Sequence, residues 1–196
     1  MQKTAYLLVF DGLADWEPAH ILCELRKSER YKVKTVGFSL EPVATMGGVT
    51  ILPDVTIDEI KAAETAVFIL PGGHMWEQQG NEPLQALLRQ LHEQGVPLAA
   101  ICGATLEIAR AGLTHQVRHT SNILAYLQGL VPAYRDEDYY VNEFAVMDQN
   151  IVTANGLGSV EFAREILKLL KVYNEADAEA WYGMFKHGIY APQVAQ

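Results

Sequence analysis

The sequence has few cysteines and fewer basic than acidic residues, and both shortages exclude classes of function. Its two cysteines among 196 residues, Cys23 and Cys102, form neither a CxxC motif nor a disulfide framework, a pattern typical of a reducing cytoplasm. Fifteen Lys and Arg against 24 Asp and Glu give a formal net charge of -9. We therefore expect no nucleic-acid or anionic-membrane partner, because both need basic patches.

Long apolar runs and cofactor motifs are also missing. No uninterrupted apolar run is long enough to span a bilayer, and the first residues enter a strand-like segment at once, so we predict no signal peptide and a cytoplasmic location. The six histidines form no HExxH motif and no zinc spacing, and the chain lacks GxGxxG, GxxxxGK[ST] and EF-hand patterns. The sequence thus predicts no metal, no cofactor and a small molecule as ligand.

The segments that are present alternate between strand-like and helix-like patterns. The composition, 49% hydrophobic and 20% charged, is that of a soluble globular protein. Strands are predicted at 5–10, 33–38, 66–70, 96–101, 144–147 and 151–153, a hairpin at 47–52, and helices at 16–25, 81–94, 103–111, 123–130 and 160–170, the last capped by Ser159. Continuous apolar strands separated by helices predict a mainly parallel sheet covered on both faces. We expect one α/β domain over residues 1–196, with a helical tail from about 174.

Cys102 stands at the most informative point of this pattern. The apolar strand at 96–101 stops at this cysteine, and Gly103 and Ala104 lead directly into a helix. This is the strand–turn–helix layout of a nucleophile elbow. The helix N-terminus should favour a thiolate at Cys102. The alternative is a buried cysteine that fills space as a small apolar residue.

The strand ends should converge, because ligands of such sheets sit at the carboxyl ends of the strands. The segments concerned are 11–17, 71–76, 102–105 and 155–159. The amides of Gly73 and Gly103 could then form an oxyanion hole facing the cysteine. The alternative for Gly73 is a tight strand exit without a catalytic role.

Two acidic residues and three histidines are further candidates. Asp15 and Glu17 lie at a predicted helix start, where capping is the default role, but a carboxyl against the sulfur could act as general acid or base. A carboxyl kept protonated by burial would also stabilise a thiolate. His74, His115 and His119 could each reach the cysteine, and no spacing singles one out.

These residues resemble the ThiJ/PfpI family of the class I glutamine amidotransferase-like superfamily. The resemblance covers residues 4–172 and rests on four segments in family order, 11–17, 70–73, 100–103 and 153–156. It implies a flavodoxin-like three-layer α/β sandwich with a nucleophile elbow, often dimeric. It places the nucleophile on Cys102, its acidic partner on Glu17 and the oxyanion amides on Gly73 and Gly103. The histidine that follows the elbow helix in part of the family aligns with His119 or Thr120. The predicted pocket is completed by Asp15, His74, Thr120 and Asn155.

The resemblance implies a cofactor-independent cysteine enzyme, a hydrolase or lyase for a small carbonyl or amide-like substrate, with Cys102 and Glu17 at its centre. An oxidative-stress sensor or a binding protein that works through Cys102 is an alternative, and a protease or glutamine amidotransferase-like amidase is another. Two departures count against the last. Gly103 stands where PfpI-type proteases have a histidine, and residues 158–161 contain the acid Glu161 without a histidine.

Overall fold

The computed structural model of the protein describes residues 2–78 and 80–190; residues 1, 79 and 191–196 of the predicted domain lie outside that range. Its strands are β1 (Thr4–Leu8), β2 (Lys32–Gly37), β3 (Val43–Ala44), β4 (Thr50–Ile51), β5 (Val55–Thr56), β6 (Thr65–Leu70), β7 (Leu98–Ile101), β8 (Ala145–Asp148) and β9 (Ile151–Ala154). Its α-helices are α1 (Ala19–Lys27), α2 (Glu82–Glu93), α3 (Thr105–Arg110), α4 (Leu124–Leu130), α5 (Ser159–Leu169) and α6 (Glu175–His187).

Seven of these strands form one sheet in the order β5-β2-β1-β6-β7-β9-β8. Neighbouring strands are parallel except β8 and β9, which are antiparallel. Strands β1, β6, β7 and β9 are buried along their whole length, as expected for parallel strands covered on both faces. Helices α1, α5 and α6 pack as one group, and α2, α3 and α4 pack as another. The predicted flavodoxin-like α/β sandwich is confirmed.

The loops after β1 and β6 are joined at the carboxyl edge of the sheet. Because β1 lies between β2 and β6, the chain reverses its direction across the sheet there, which is where such folds form a crevice. The Ala14 N–H donates to the Gly72 carbonyl at 3.0 Å, and Leu13 and Gly73 form an isolated bridge. These contacts bring two of the predicted site segments together.

Two helix starts differ from the sequence prediction. Helix α1 begins at Ala19 rather than at residue 16, and Pro18 is its N-cap residue, because proline is best tolerated at the first turn of a helix. Glu17 therefore lies in the loop before the helix and does not cap it. Ser159 is the first residue of α5 rather than its cap, and Gly158 occupies the N-cap position without a side-chain bond.

The predicted hairpin and tail helix are both present. Strands β3 and β4 form a small antiparallel pair outside the main sheet. Helix α6 packs against α5 and buries Trp181, whose ring lies 4.7 Å from that of Phe185 between centroids. The tail helix thus docks on the body of the same chain, and the dimer predicted from the sequence stays a prediction. No helix in the described range is long and apolar enough to cross a membrane.

Candidate active site

Cys102 occupies the predicted elbow in a strained backbone conformation. It follows β7 directly and opens a short 3-10 turn, Cys102–Ala104, that leads into α3. Its φ of +59° lies in the left-handed region, which a residue with a Cβ adopts at a cost of about 1–2 kcal/mol. The Thr105 hydroxyl donates to the Cys102 carbonyl at 2.7 Å and lies 2.6 Å from the Ser121 hydroxyl. Strain of this kind at the end of a central strand is typical of functional sites.

Glu17 reaches the cysteine from the loop between β1 and α1. Its side chain is 1% exposed, and its carboxyl accepts a hydrogen bond from the Gly72 N–H. A Cβ on Gly72 would lie 2.6 Å from Glu17 Oε2 and 2.7 Å from Cys102 Cβ. Residue 72 therefore has to be glycine for the carboxyl and the cysteine to meet.

The protonation of this pair differs from the sequence prediction. Burial raises the pKa of the Glu17 carboxyl, although the bonds from Gly72 and Cys102 oppose the rise. Burial and then the charge of Glu17 raise the pKa of the Cys102 thiol, while hydrogen bonds from Asn122 and the Gly103 N–H lower it. The prediction of a lowered thiol pKa from the helix dipole is wrong, because the helix is short and the sulfur is desolvated beside a carboxyl. Burial therefore disfavours the charged form of each group, and a charged Glu17 further disfavours a thiolate at Cys102.

The two predicted oxyanion-hole glycines lie against each other where the turns after β6 and β7 meet. A Cβ on Gly103 would lie 3.2 Å from the Gly73 carbonyl oxygen and 3.0 Å from Cδ1 of Trp76. The structure thus places the turn after β6 against the turn after β7, with no room for a side chain between them.

Asn122 is a site residue that the sequence analysis missed. Its Nδ2 donates to Cys102 Sγ at 3.5 Å, and its Oδ1 accepts from the Gly156 N–H at 2.9 Å. A Cβ on Gly156 would lie 2.9 Å from the same sulfur. Its position in the sequence could have indicated this role, because Asn122 lies two residues after Thr120, in the segment that was expected to approach the cysteine.

His119, the predicted histidine partner of Cys102, is engaged elsewhere. It is 1% exposed. Its Nδ1 lies 2.7 Å from the Val117 carbonyl and its Nε2 lies 2.7 Å from the Tyr134 hydroxyl. A carbonyl can only accept, so Nδ1 carries the proton and Nε2 accepts from Tyr134. Burial lowers the pKa of His119, which agrees with this neutral form. The structure does not bring this imidazole to the sulfur.

Thr120 and Asn155, both predicted to line the pocket, form hydrogen bonds within the neighbouring loops. The Thr120 N–H donates to the Thr153 hydroxyl at 2.8 Å, and its own hydroxyl donates to the Glu143 carbonyl at 3.0 Å. Asn155 Oδ1 accepts from the Leu157 N–H at 3.0 Å. Both side chains therefore hydrogen-bond nearby backbone groups and not the sulfur, and their place in a substrate pocket stays a prediction.

Asp15 and His74, the remaining predicted pocket residues, also lie outside the contacts of the sulfur. Asp15 accepts from the Gly47 N–H at 2.7 Å, and the Thr45 hydroxyl and that N–H lower its pKa. It fixes the β3–β4 hairpin against the loop after β1. His74 begins the 3-10 turn after β6 and is exposed.

A buried ion pair holds the 3-10 turn that follows β6 in place near the cysteine. The 3-10 turn His74–Glu77 carries Trp76, which is 1% exposed and donates from Nε1 to the Pro71 carbonyl at 2.8 Å. Arg110 donates to the Trp76 carbonyl at 2.9 Å and pairs with the fully buried Glu107 at 3.1 Å. This pair holds the turn at a fixed distance from α3.

Tyr126, from α4, lies at the edge of the candidate site. Its hydroxyl donates to Glu77 Oε1 at 3.4 Å. Burial raises its pKa, and the charges of Glu77 and Cys102 raise it further, so the phenol stays protonated beside the sulfur. Among the described residues no group of three His, Cys, Asp or Glu side chains is arranged to hold a metal ion.

A family profile, related sequences and a solved structure all match this chain over most of its length. The sequence profile of the DJ-1/PfpI family matches residues 3–169. The chain is 37% identical over 191 residues to the uncharacterized protease YoaZ of Bacillus subtilis, covering 94% of this chain and 91% of that protein. It is 27% identical over 172 residues to the deglycase TK1284 of Thermococcus kodakarensis, covering 84% and 98%. The crystal structure of a thiJ/pfpI family protein from Bacillus anthracis has a TM-score of 0.90 at 36% identity and covers 96% of this chain and 92% of its own.

Proposed function

The chain belongs to the DJ-1/PfpI family, and from that premise we propose that it is a cysteine-dependent enzyme in which Cys102 attacks a small carbonyl substrate and Glu17 accepts the thiol proton. One observation carries the proposal. A buried carboxyl with a raised pKa and a cysteine held at a strained elbow meet at Gly72, where a Cβ would lie 2.6 Å from Glu17 Oε2 and 2.7 Å from Cys102 Cβ. Burial raises the basicity of that carboxyl toward neutral pH, where general-base catalysis is most effective.

The first step is an addition to the carbonyl carbon. The sulfur forms a bond to that carbon while the thiol proton passes to the Glu17 carboxylate. The electron pair of the C=O π bond moves to the carbonyl oxygen. Glu17 then returns the proton to this oxygen and gives a hemithioacetal. The step needs no oxidant and no second acid, since one proton leaves the sulfur and the same proton reaches the oxygen.

Backbone amides support the developing oxyanion in this proposal. Gly73 and Gly103 lie against each other at the turns after β6 and β7, and amide N–H groups aimed at a developing negative charge typically contribute about 10²–10³-fold in rate. Gly103 follows Cys102 directly, so an oxyanion on the carbon bonded to the sulfur would form next to the turn that carries the Gly103 N–H.

Carbonyl addition suits this site better than amide hydrolysis. Cleavage of an amide requires a proton for the leaving nitrogen and activation of a water, work that a histidine performs in Cys–His hydrolases. His119 is bonded to Val117 and Tyr134, which leaves the Glu17 carboxyl, packed beside Cys102 at Gly72, as the proton carrier for the thiol in this proposal. An α-oxoaldehyde has no amine leaving group: the same carboxyl can move the C1 proton of the hemithioacetal to C2, which gives a thioester, and water then hydrolyses this thioester, so that a 2-hydroxy acid leaves and the sulfur regains its proton. We therefore propose the glyoxalase-like reaction ahead of the protease or amidase reaction.

Consumption of methylglyoxal by the purified chain tests the proposal. We expect turnover by the parent and by Cys23→Ser, whose cysteine is exposed and remote in sequence from the elbow. Cys102→Ala and Glu17→Gln should each lose at least about a hundredfold, the lower range for a positioned acid–base group. Full activity in Cys102→Ala would overturn the proposal. Release of dye from a labelled peptide library by the parent, lost in Cys102→Ala, would favour the protease alternative instead.

The same pair also favours a second function, redox sensing through Cys102. A carboxyl kept protonated by burial can donate to a sulfinate oxygen, so Glu17 would stabilise that oxidation state. Intact-mass measurement after mild peroxide treatment tests this function, with the exposed Cys23 as the internal reference. Two added oxygens on Cys102, reduced in amount in Glu17→Gln, are expected. Oxidation of Cys23 alone would rule it out.

A further inference from the structure

We propose that Asn122 is the residue that sets the reactivity of Cys102, because its carboxamide is locked in the one orientation that donates a hydrogen bond to the sulfur. The inference deepens the proposed function and rests on it for its effect on turnover. Its effect on the thiol itself can be measured without any substrate.

The orientation of the carboxamide follows from its neighbour. A backbone N–H can only donate, so the Gly156 N–H at 2.9 Å must face the oxygen of the Asn122 side chain. The nitrogen then faces Cys102 Sγ at 3.5 Å. A flipped amide would set two donors against each other at Gly156 and leave the sulfur without this donor. The assignment of oxygen and nitrogen is therefore fixed by chemistry.

The segment that carries Asn122 holds Cys102 at two points. Ser121 contacts the Thr105 hydroxyl at 2.6 Å, and that hydroxyl donates to the Cys102 carbonyl at 2.7 Å. Asn122 contacts the sulfur on the other side of the same residue. Gly156 also packs closely against the sulfur, since a Cβ at that position would lie 2.9 Å from Cys102 Sγ. Backbone and sulfur are thus positioned by one dipeptide.

The donated hydrogen bond favours the charged sulfur over the neutral thiol. A group that can only donate stabilises a thiolate more than a thiol. Two titratable side chains interact with this sulfur among the described residues, Glu17 from the loop after β1 and Tyr126 from α4, with Glu77 behind Tyr126. Glu17 disfavours a negative sulfur when it is charged, whereas the raised pKa of Tyr126 keeps its phenol neutral. Asn122 opposes the effect of Glu17 and, being an amide, neither gives nor takes a proton itself.

The pH dependence of Cys102 alkylation by iodoacetamide tests the inference, in a Cys23→Ser background. Asn122→Asp keeps an oxygen for the Gly156 N–H and removes the donor to the sulfur. Asn122→Ala removes both groups without adding a charge. Asn142→Ala, at an exposed amide, is the matched control. We expect the midpoint to rise by about one pH unit in Asn122→Ala, so that alkylation at neutral pH slows about tenfold. The rise should be larger in Asn122→Asp, and the control should keep the parent midpoint.

A midpoint in Asn122→Ala equal to that of the parent overturns the inference, even when Asn122→Asp shifts, because the new charge alone would then explain the shift. A thermal melt of each variant shows whether it is folded. If Asn122→Ala does not fold, Asn122→Ser replaces it with the same expected rise. Methylglyoxal turnover is measured in the same proteins. If the alkylation midpoint of Asn122→Ala is shifted from that of the parent but the parent does not turn over methylglyoxal, the proposed function is refuted and this inference stands.

Discussion

Replacing Glu17 by glutamine should make the protein less active and, above acidic pH, more stable. Glutamine has the shape of glutamate and keeps an oxygen for the Gly72 N–H that now donates to the carboxyl. It cannot accept the proton of the Cys102 thiol. Removal of a positioned general base costs about 10²–10⁴-fold in rate, so we expect methylglyoxal turnover to fall by that factor while the fold is retained.

The stability effect follows from the raised pKa of the carboxyl. The folded chain binds the Glu17 proton more tightly than the unfolded chain, whose carboxyl titrates near its usual value of 4.5. Between these two pKa values the folded state holds more protons, so the contribution of Glu17 to stability falls as pH rises. The fall amounts to about 1.4 kcal/mol for each unit that separates the two pKa values. Glutamine has no such dependence.

Thermal denaturation of the parent and of Glu17→Gln from pH 4 to pH 8 measures this effect. The difference in Tm should be smallest at the acid end and should grow in favour of Glu17→Gln as pH rises. Glu93→Gln, at an exposed position near the end of α2, is the control and should show no such trend. A Tm difference that stays constant across this range would refute the assignment of a raised pKa to Glu17.

Three further substitutions test the geometry around the site. Gly72→Ala should abolish turnover and cost about 1–3 kcal/mol in urea denaturation, because its Cβ would lie 2.7 Å from Cys102 Cβ; retention of both would refute the close approach. Arg110→Ala should cost about 3–5 kcal/mol in the same measurement, because the fully buried Glu107 would lose its charged partner and keep only the hydrogen bonds from Asn81 and Gln85. His119→Ala should destabilise the fold but leave the alkylation rate of Cys102 unchanged. A tenfold slower rate would restore this histidine as the partner of the thiol.

The fold could be predicted from the sequence because its signals are local and redundant. The buried strands at 65–70, 98–101 and 151–154 are continuous apolar segments, and each is followed by a glycine-containing turn. Parallel order then places their carboxyl ends at one edge. Cys102 could be found for the same reason, since a lone cysteine between strand and helix is visible in the sequence.

The partners of Cys102 were harder to predict because they depend on contacts between distant segments. Asn122 contacts the sulfur only because Gly156, 34 residues further on, fixes its amide. His119 is drawn away by Tyr134, 15 residues further on, and no periodicity marks that pair. The predicted direction of the pKa shift at the Cys102 thiol was wrong for a similar reason. The helix dipole can be inferred from the local sequence, whereas burial beside Glu17 is a tertiary property.

Glu161, an acid late in the chain, shows why membership of the DJ-1/PfpI family does not by itself assign a reaction. Glu161 stands in the stretch where a glutaminase triad would have its acid, yet its Oε1 accepts from the Tyr182 hydroxyl at 2.8 Å and pairs with Lys186 at 3.0 Å. Burial alone would raise the pKa of Glu161, but these two partners lower it, so the carboxylate stays charged and holds α6 against α5. An acid committed to docking a helix cannot orient a catalytic base. In the proposed function the proton chemistry at Cys102 is therefore assigned to Glu17, and we expect only reactions that one carboxyl can serve.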